Sequence, residues 1–515
     1  MEPAGFVQPP QVPGERPPPA PPPAERALPQ PRPLTPEGPG ALSELGALLE
    51  AAGSRRLFGD VSPGTLGELV ASLSRFAAPP EQQQEAAELP AKDRANEAVA
   101  ERAVEVGAVL LRLLAKLEAA RAEETPGEPV VGAILRRVAA PIYIFAVTHV
   151  VDQPWTSERS RAVARELLES LVRAAGCGSV AEFLRGKKED EEGRFAAVMG
   201  LLKLELTKDT WKRNPATKHV FSWTLPHVTR PWLSHYLESV LPPSLLISDD
   251  YREENKILGV RCLHHLVLNV PGADLCQYNR AQVVYHALYN HLYSREAPLL
   301  QAVLLCLLDL LPVLERAQHR QQQQPRAPSR SDEVLQLLLT HMEAEHRLAL
   351  RRLYARSLPA FVQRLGILVV RHLKRLQRVI VGYLEVCDGP EEEARLGILQ
   401  TLRCTIEHAW PRMPCRLPEL LQALLRMMWD VHTDQGLTPE PVKAALLQGA
   451  TECLILLDRC SAGQVKVSWG PPASFLLSAP LKEAAGHSMQ EPASVKQDLQ
   501  RFPLTPGLVS DLTDG

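Results

Sequence analysis

Histidine, cysteine and carboxylate side chains set on one face are what catalysis or metal binding would need, and they come closest together in REENKILGVRCLHHLVLN, residues 252–269. Cys262 lies there beside the adjacent pair His264 and His265. On a helix successive side chains diverge by about 100°, so neighbours point apart, and two helical ligands to one metal want a spacing of three or four. On that wheel Val260, Cys262, Leu263, Leu266, Val267 and Val270 share one apolar arc. Cys262 is therefore expected in a core. Arg261, His264, His265 and Asn269 fall on the mixed flank, which makes the histidines a half-exposed pair and not a ligand set.

The other candidates are no stronger. His286 and His291 are five apart, as are His341 and His346, and His227 and His235 straddle a proline-bearing turn. No HExxH occurs, and no His-Glu dipeptide of the kind that helical-repeat di-iron hydroxylases repeat. A GxxxxGK[ST] phosphate loop, a GxGxxG turn and a GxSxG elbow are also missing. We therefore expect no catalytic residue, no cofactor and no metal. The nine cysteines are scattered, without a CxxC pair, as reduced thiols of a cytoplasmic or nuclear protein would be. MEPAGFVQPPQVPGERPPP at the start has no apolar segment of a secretory signal, and LLQAVLLCLLDLLPVL (299–314) reads as a buried helix too short and too polar for a membrane.

What would position any functional side chain is a helical framework. The chain has 515 residues, 45% apolar and only 5% aromatic, with Leu and Ala carrying the apolar mass and a net charge of −3. That balance favours helix-on-helix packing and gives no overall pull toward nucleic acid or membrane. Residues 1–40 hold 15 of the 46 prolines and read as a disordered tail, either a solvated extension or a ligand for a proline-reading domain. Residues 41–96 read as short helices followed by a linker over 78–96, and 97–205 as an N-terminal helical region. In that region Val104, Ala108, Leu111, Leu114 and Leu117 set the apolar stripe. Residues 463–515 break periodicity and read as an irregular tail.

Between 206 and 462 the chain keeps a rhythm. A first helix such as PWLSHYLESVL (231–241) is followed by a strongly apolar second one, and second helices recur at 250–270, 295–315, 345–365, 390–410 and 440–458. A period of about 40–50 residues with two helices per unit is the mark of a HEAT or armadillo-like α-solenoid. Such a unit cannot bury its apolar face alone and must stack on its neighbours.

Two surface features stand out. Residues 345–378 are rich in arginine and lysine (347, 351, 352, 356, 364, 371, 374, 375, 378), which suits nucleic acid, an acidic protein surface or simply solvent. The segment 210–256 concentrates Trp211, Trp223 and Trp232, so dense inter-repeat packing competes with an interface there. We take as the candidate protein interface Trp223, Arg230, Trp232, Tyr236, Asp249, Asp250, Arg252, Glu254, Arg261 and His265.

This segment, continuing through ILGVRCLHHLVLNVPGADLCQYNRAQVVYHALYNHLYSREAPLLQAVLLCLLDLLPVLE, resembles the Tti-two family, most strongly over about 205–460. The resemblance implies a non-enzymatic subunit of the TTT co-chaperone complex, beside Tel-two and Tti-one. It also implies indirect links to heat-shock protein 90 and R2TP-type adaptors, and a role in the stability and assembly of phosphatidylinositol-3-kinase-related kinases such as mTOR, ATM, ATR and DNA-PK. No membrane is implied as a partner, and nucleic acid is not expected. A karyopherin-like transport adaptor would share the fold and is the alternative.

Overall fold

The computed structural model describes residues 40–53, 58, 62–80, 89–123, 130–186, 193–321, 329–434, 436 and 438–462. Among the described residues the regular structure is helical, with no strand. The two tails read from the sequence, 1–40 and 463–515, lie outside the described residues except for Gly40.

The N-terminal part runs through α1 (Ala41–Ala51), α2 (Pro63–Phe76), α3 (Leu89–Glu123), α4 (Val130–Val150) and α5 (Glu158–Ala174). Three shorter helices follow: α6 (Val180–Arg185), α7 (Phe195–Lys203) and α8 (Pro215–Thr224). Helix α3 packs on α1 and α5, and α4 on α2, α5 and α8. The start of α3 at Leu89 lies inside the stretch read as linker. Its apolar stripe is also rotated from the expected one: Ala103, Val106, Leu110, Leu113, Leu114 and Leu117 are buried, whereas Val104, Ala108 and Leu111 are half-buried. Contact with α1 on one side and α5 on the other sets that face, and spacing alone did not reveal it.

Two-helix units then stack. They are α9 (Leu237–Ser248) with α10 (Glu253–Asn269), and, after the short α11 (Gly272–Cys276), α12 (Arg280–His291) with α13 (Ala297–Gln321). Next come α14 (Arg330–Ala344) with α15 (Leu348–Leu365), α16 (Leu373–Leu384) with α17 (Glu393–Ala409), and α18 (Leu417–Thr433) with α19 (Glu440–Cys460). The second helices begin at 253, 297, 348, 393 and 440, each within its expected stretch. They form one layer, α10 on α13, α13 on α15, α15 on α17 and α17 on α19. The first helices form the other, with α14 on α16 and α16 on α18. This is an α-solenoid.

The layer is parallel: a Cβ on Gly397 would stand 2.7 Å from the backbone carbonyl of Ala355, and further along the same pair Gln363 donates to the Cys404 sulfur at 3.4 Å. Only glycine permits that approach of α17 to α15, and Gly259 does the same for α10 against the backbone of Ser248. The C-terminal ends of the second helices therefore share one edge of the solenoid. Buried apolar side chains make one cluster from Leu42 to Leu457, which ties the N-terminal helices to the repeats, and a small second cluster of Val99, Trp155 and Ala216.

The segment 299–314 needs a correction. Its helix is Ala297–Gln321, and Ala297–Arg316 is, with Val131–Val150 and Leu348–Leu384, long and apolar enough to cross a membrane by length and composition. Leu300, Val303, Leu304, Cys306, Leu307, Leu310 and Leu311 are nevertheless buried in the solenoid core, so the apolar face is already covered by α10 and α15.

Candidate interaction surface

The paired histidines separate as the wheel requires. His264 Nε2 donates to Asp309 Oδ2 of α13 at 2.8 Å, and His265 Nε2 donates to the Val228 carbonyl at 2.9 Å. Asn269 Nδ2 donates to His265 Nδ1 at 3.2 Å. Burial holds His265 below its ordinary pKa and favours this neutral tautomer. Each histidine ties α10 to a different neighbour. Cys262 is buried, and burial pushes its thiol up to about 12, so it is a core side chain and no nucleophile at neutral pH. Among the described residues no three His, Cys, Asp or Glu side chains are grouped to hold a metal ion.

The tryptophan-rich segment is mostly spent on packing. Trp211 is buried under Lys212, whose Nζ lies 5.2 Å from its ring and 4.9 Å from that of Tyr251. Trp223 is half-buried against Tyr143 and meets His227 at a tilt with centroids 4.4 Å apart. The Trp232 ring lies under the Arg185 guanidinium at 4.6 Å, and Tyr236 meets Phe195 edge-on at 4.7 Å. Asp250 is 4% exposed. It accepts from Lys212 Nζ at 2.6 Å and Asn255 Nδ2 at 2.5 Å, and Asn255 in turn accepts from Lys218. Burial alone would raise the Asp250 carboxyl; the hydrogen bonds from Asn255 and Lys212, with the Lys212 charge, outweigh it and hold it below the usual carboxylate range. Of the ten candidate residues, Arg230, Asp249, Arg252, Glu254 and Arg261 are exposed. Even Arg230 reaches back to the Val270 carbonyl at 3.2 Å, and Arg252 Nε donates to the Tyr251 hydroxyl at 2.9 Å.

The arginine-rich stretch has no Asp or Glu of its own from 346 to 384. Folding brings carboxylates to it from neighbouring segments. Arg352 pairs with Asp388 and Glu391, Arg371 with Asp332, Arg375 and Arg378 with Glu343, and Arg347 with Glu345. Asp388 is 2% exposed and also accepts from the Ala394 N–H, so it caps α17 while clamping Arg352. Arg351 spreads over the Tyr383 ring at 3.9 Å. Much of the apparent basic patch is thus glue between repeats. Sequence reasoning missed the apolar side chains beside it: Ile367 is 74% exposed, Leu368 41% and Trp410 48%.

The Tti2 family model matches residues 142–390. The human TELO2-interacting protein 2 is 59% identical over 431 residues, which cover 82% of this chain and 83% of the human protein. This chain belongs to the Tti2 family. The rat protein of that name is 56% identical, over 83% of this chain and 84% of its own length. The family match takes in the tryptophan-rich segment and the arginine-rich stretch and stops before α17. Among solved structures, karyopherin Kap95p aligns with a TM-score of 0.43 at 12% identity, over 89% of this chain and 54% of that one. Kap121p bound to RanGTP aligns with a TM-score of 0.43 at 12% identity, over 88% and 44%.

Proposed function

We propose that this Tti2 family member is a non-enzymatic scaffold of the TTT co-chaperone complex. Its partners in that reading are Tel-two and Tti-one. Through them, and with heat-shock protein 90 and R2TP-type adaptors, it supports the stability and assembly of mTOR, ATM, ATR and DNA-PK, in the cytoplasm and nucleus. The observation that carries the reading is the 59% identity, over most of both chains, to a human protein whose name states an interaction with TELO2. The solenoid supports it: a stacked array offers long edges and faces, enough for the roughly 1,200–2,000 Å² that a stable protein interface buries.

Affinity purification of the tagged full chain from vertebrate cells, read by mass spectrometry, tests this. Tel-two and Tti-one should be recovered in near-equal amounts with the giant kinases behind them, and depletion of the chain should lower the kinases' steady-state levels. Recovery of a small GTPase with cargo, and of neither Tel-two nor Tti-one, would replace the reading with a transport adaptor.

A further inference from the structure

The turns that follow α15 and α17 leave apolar side chains exposed, and near them in the chain are cations that no carboxylate pairs among the described residues. The first turn, Gly366–His372, packs against α17, and Trp410 follows α17 directly. Because α15 and α17 lie side by side and parallel, both turns belong to the same edge. Ile367 and Leu368 from one turn and Trp410 from the next are exposed apolar side chains on this edge, and we refer to them together as the strip. In and beside the same turns Arg364, Lys374 and Arg412 are exposed, and among the described residues none of the three carries an ion pair, although Arg364 donates to the Leu308 carbonyl of α13 at 2.8 Å. Their contrast is with Arg371, Arg375 and Arg378 of the same stretch, which Asp332 and Glu343 neutralise. No Asp or Glu occurs from 346 to 384 or from 408 to 418, and the carboxylates that reach the first turn, Asp332 and Glu343, are taken up by Arg371, His372, Arg375 and Arg378.

We infer that this edge docks an acidic protein segment that also carries aliphatic or aromatic side chains, such as an amphipathic helix with carboxylates on its flanks. The inference rests on the reading that the chain works by binding other proteins, and it names the surface. An apolar centre with a charged rim is the usual anatomy of a protein interface, and unpaired cations select a partner of opposite sign. Single-stranded nucleic acid fits less well, because base stacking needs a series of aromatic platforms and the strip has one, with two aliphatic neighbours that bases cannot use. A bilayer takes apolar groups that plunge about 5–10 Å below the headgroups. Leu368 and Trp410 are each about half covered, so of the three only Ile367, 74% exposed, projects well clear of the fold, and a single projecting aliphatic side chain is a weak membrane anchor.

The test uses the full chain and the purified Tel-two–Tti-one pair, with two variants, I367D/L368D and K374E/R412E. Wild type should bind the pair, and each variant should weaken binding about tenfold or more. The wild-type affinity should fall with added salt, while K374E/R412E should lose most of that dependence. If wild type itself does not bind, the scaffold reading fails. If wild type binds and both variants match it within about twofold, the edge is not the site. Should I367D/L368D lose its thermal transition, K374E/R412E decides alone, since both its positions are exposed and unpaired among the described residues. Phosphatidylserine vesicles and a fluorescent oligouridylate of about 20 nucleotides are the other probes. Binding of either by wild type, lost in the variants while the protein pair still binds, would overturn the protein assignment.

Discussion

The corner built from residues 210–256 and the edge built from residues 364–416 contain the same materials, tryptophan and cations, and use them oppositely. In the corner the rings are covered: Trp211 is buried beside Lys212, whose Nζ also lies 4.9 Å from the Tyr251 ring, while Trp223 meets Tyr143 and Trp232 meets Arg185 from other elements. The buried carboxylate of Asp250 closes the set. At the edge Trp410 is about half exposed, and among the described residues Lys374 and Arg412 of the same two turns carry no ion pair. Composition therefore did not distinguish glue from surface. The distinction came from whether a neighbouring segment supplies the complementary group.

The largest effect expected from breaking this contrast is Trp232→Ala. Truncating a ring held under Arg185 and packed on the core should cost about 3 kcal/mol or more. It should lower the urea midpoint without changing the slope. A cost under about 0.5 kcal/mol would return Trp232 to the list of surface anchors.

A second way in is pH, through a histidine that faces the same corner. His149 of α4 is 1% exposed, meets Phe145 at a tilt with centroids 4.9 Å apart and lies near His219 of α8. Burial, with the neighbouring His219, pulls its imidazole down to about 4. An unfolded histidine titrates near 6.5, so the unfolded state takes up the proton first. Stability from this group is whole above about pH 6.5 and is lost as the pH falls toward 4, by about 3 kcal/mol in all. His149→Leu should flatten the wild-type fall in melting temperature between pH 7 and pH 4.5. An unchanged slope would show that other groups carry it.

Asp250→Ala comes third. Removing the acceptor strands Lys212 and Asn255, and the loss of two hydrogen bonds to a charged group should cost about 2 kcal/mol. Asp250→Asn should recover part of that cost, measured by the same unfolding curves.

Much of the framework was legible in the sequence, and the reason is local. The second helices of the repeats announce themselves because a strongly apolar face recurs with a fixed rhythm, and the Cys262 arc follows from 100° geometry alone. What stayed hidden depends on distant partners. Nothing near Arg375 in the chain says that Glu343 will reach it, and nothing near Asp250 except Asn255 says that the carboxylate will be buried. The start of α3 at Leu89 was obscured by a stretch rich in Gln, Glu and Ala that reads as linker. Ile367 and Leu368 follow directly on the apolar helix α15, and the turn at Gly366, with its φ of +54°, leaves both exposed. One signal was available, the lack of any carboxylate from 346 to 384, and it marks where charge must be balanced from outside the stretch.

The smallest expected effect is the most discriminating. Trp410→Ala removes a large ring, which in the corner would cost several kcal/mol. Trp410 is 48% exposed, however, and is the first residue after α17, so truncation opens no closed cavity. The change in unfolding free energy should stay within about 0.5–1 kcal/mol, with the circular dichroism spectrum unaltered. A loss near that of Trp232→Ala would mean that the ring pins the α17–α18 turn to the core, and the edge would then be a second packed corner. A near-silent Trp410→Ala, set against a costly Trp232→Ala, would mean that the same residue type is structural where another element's side chain covers it and available where none does.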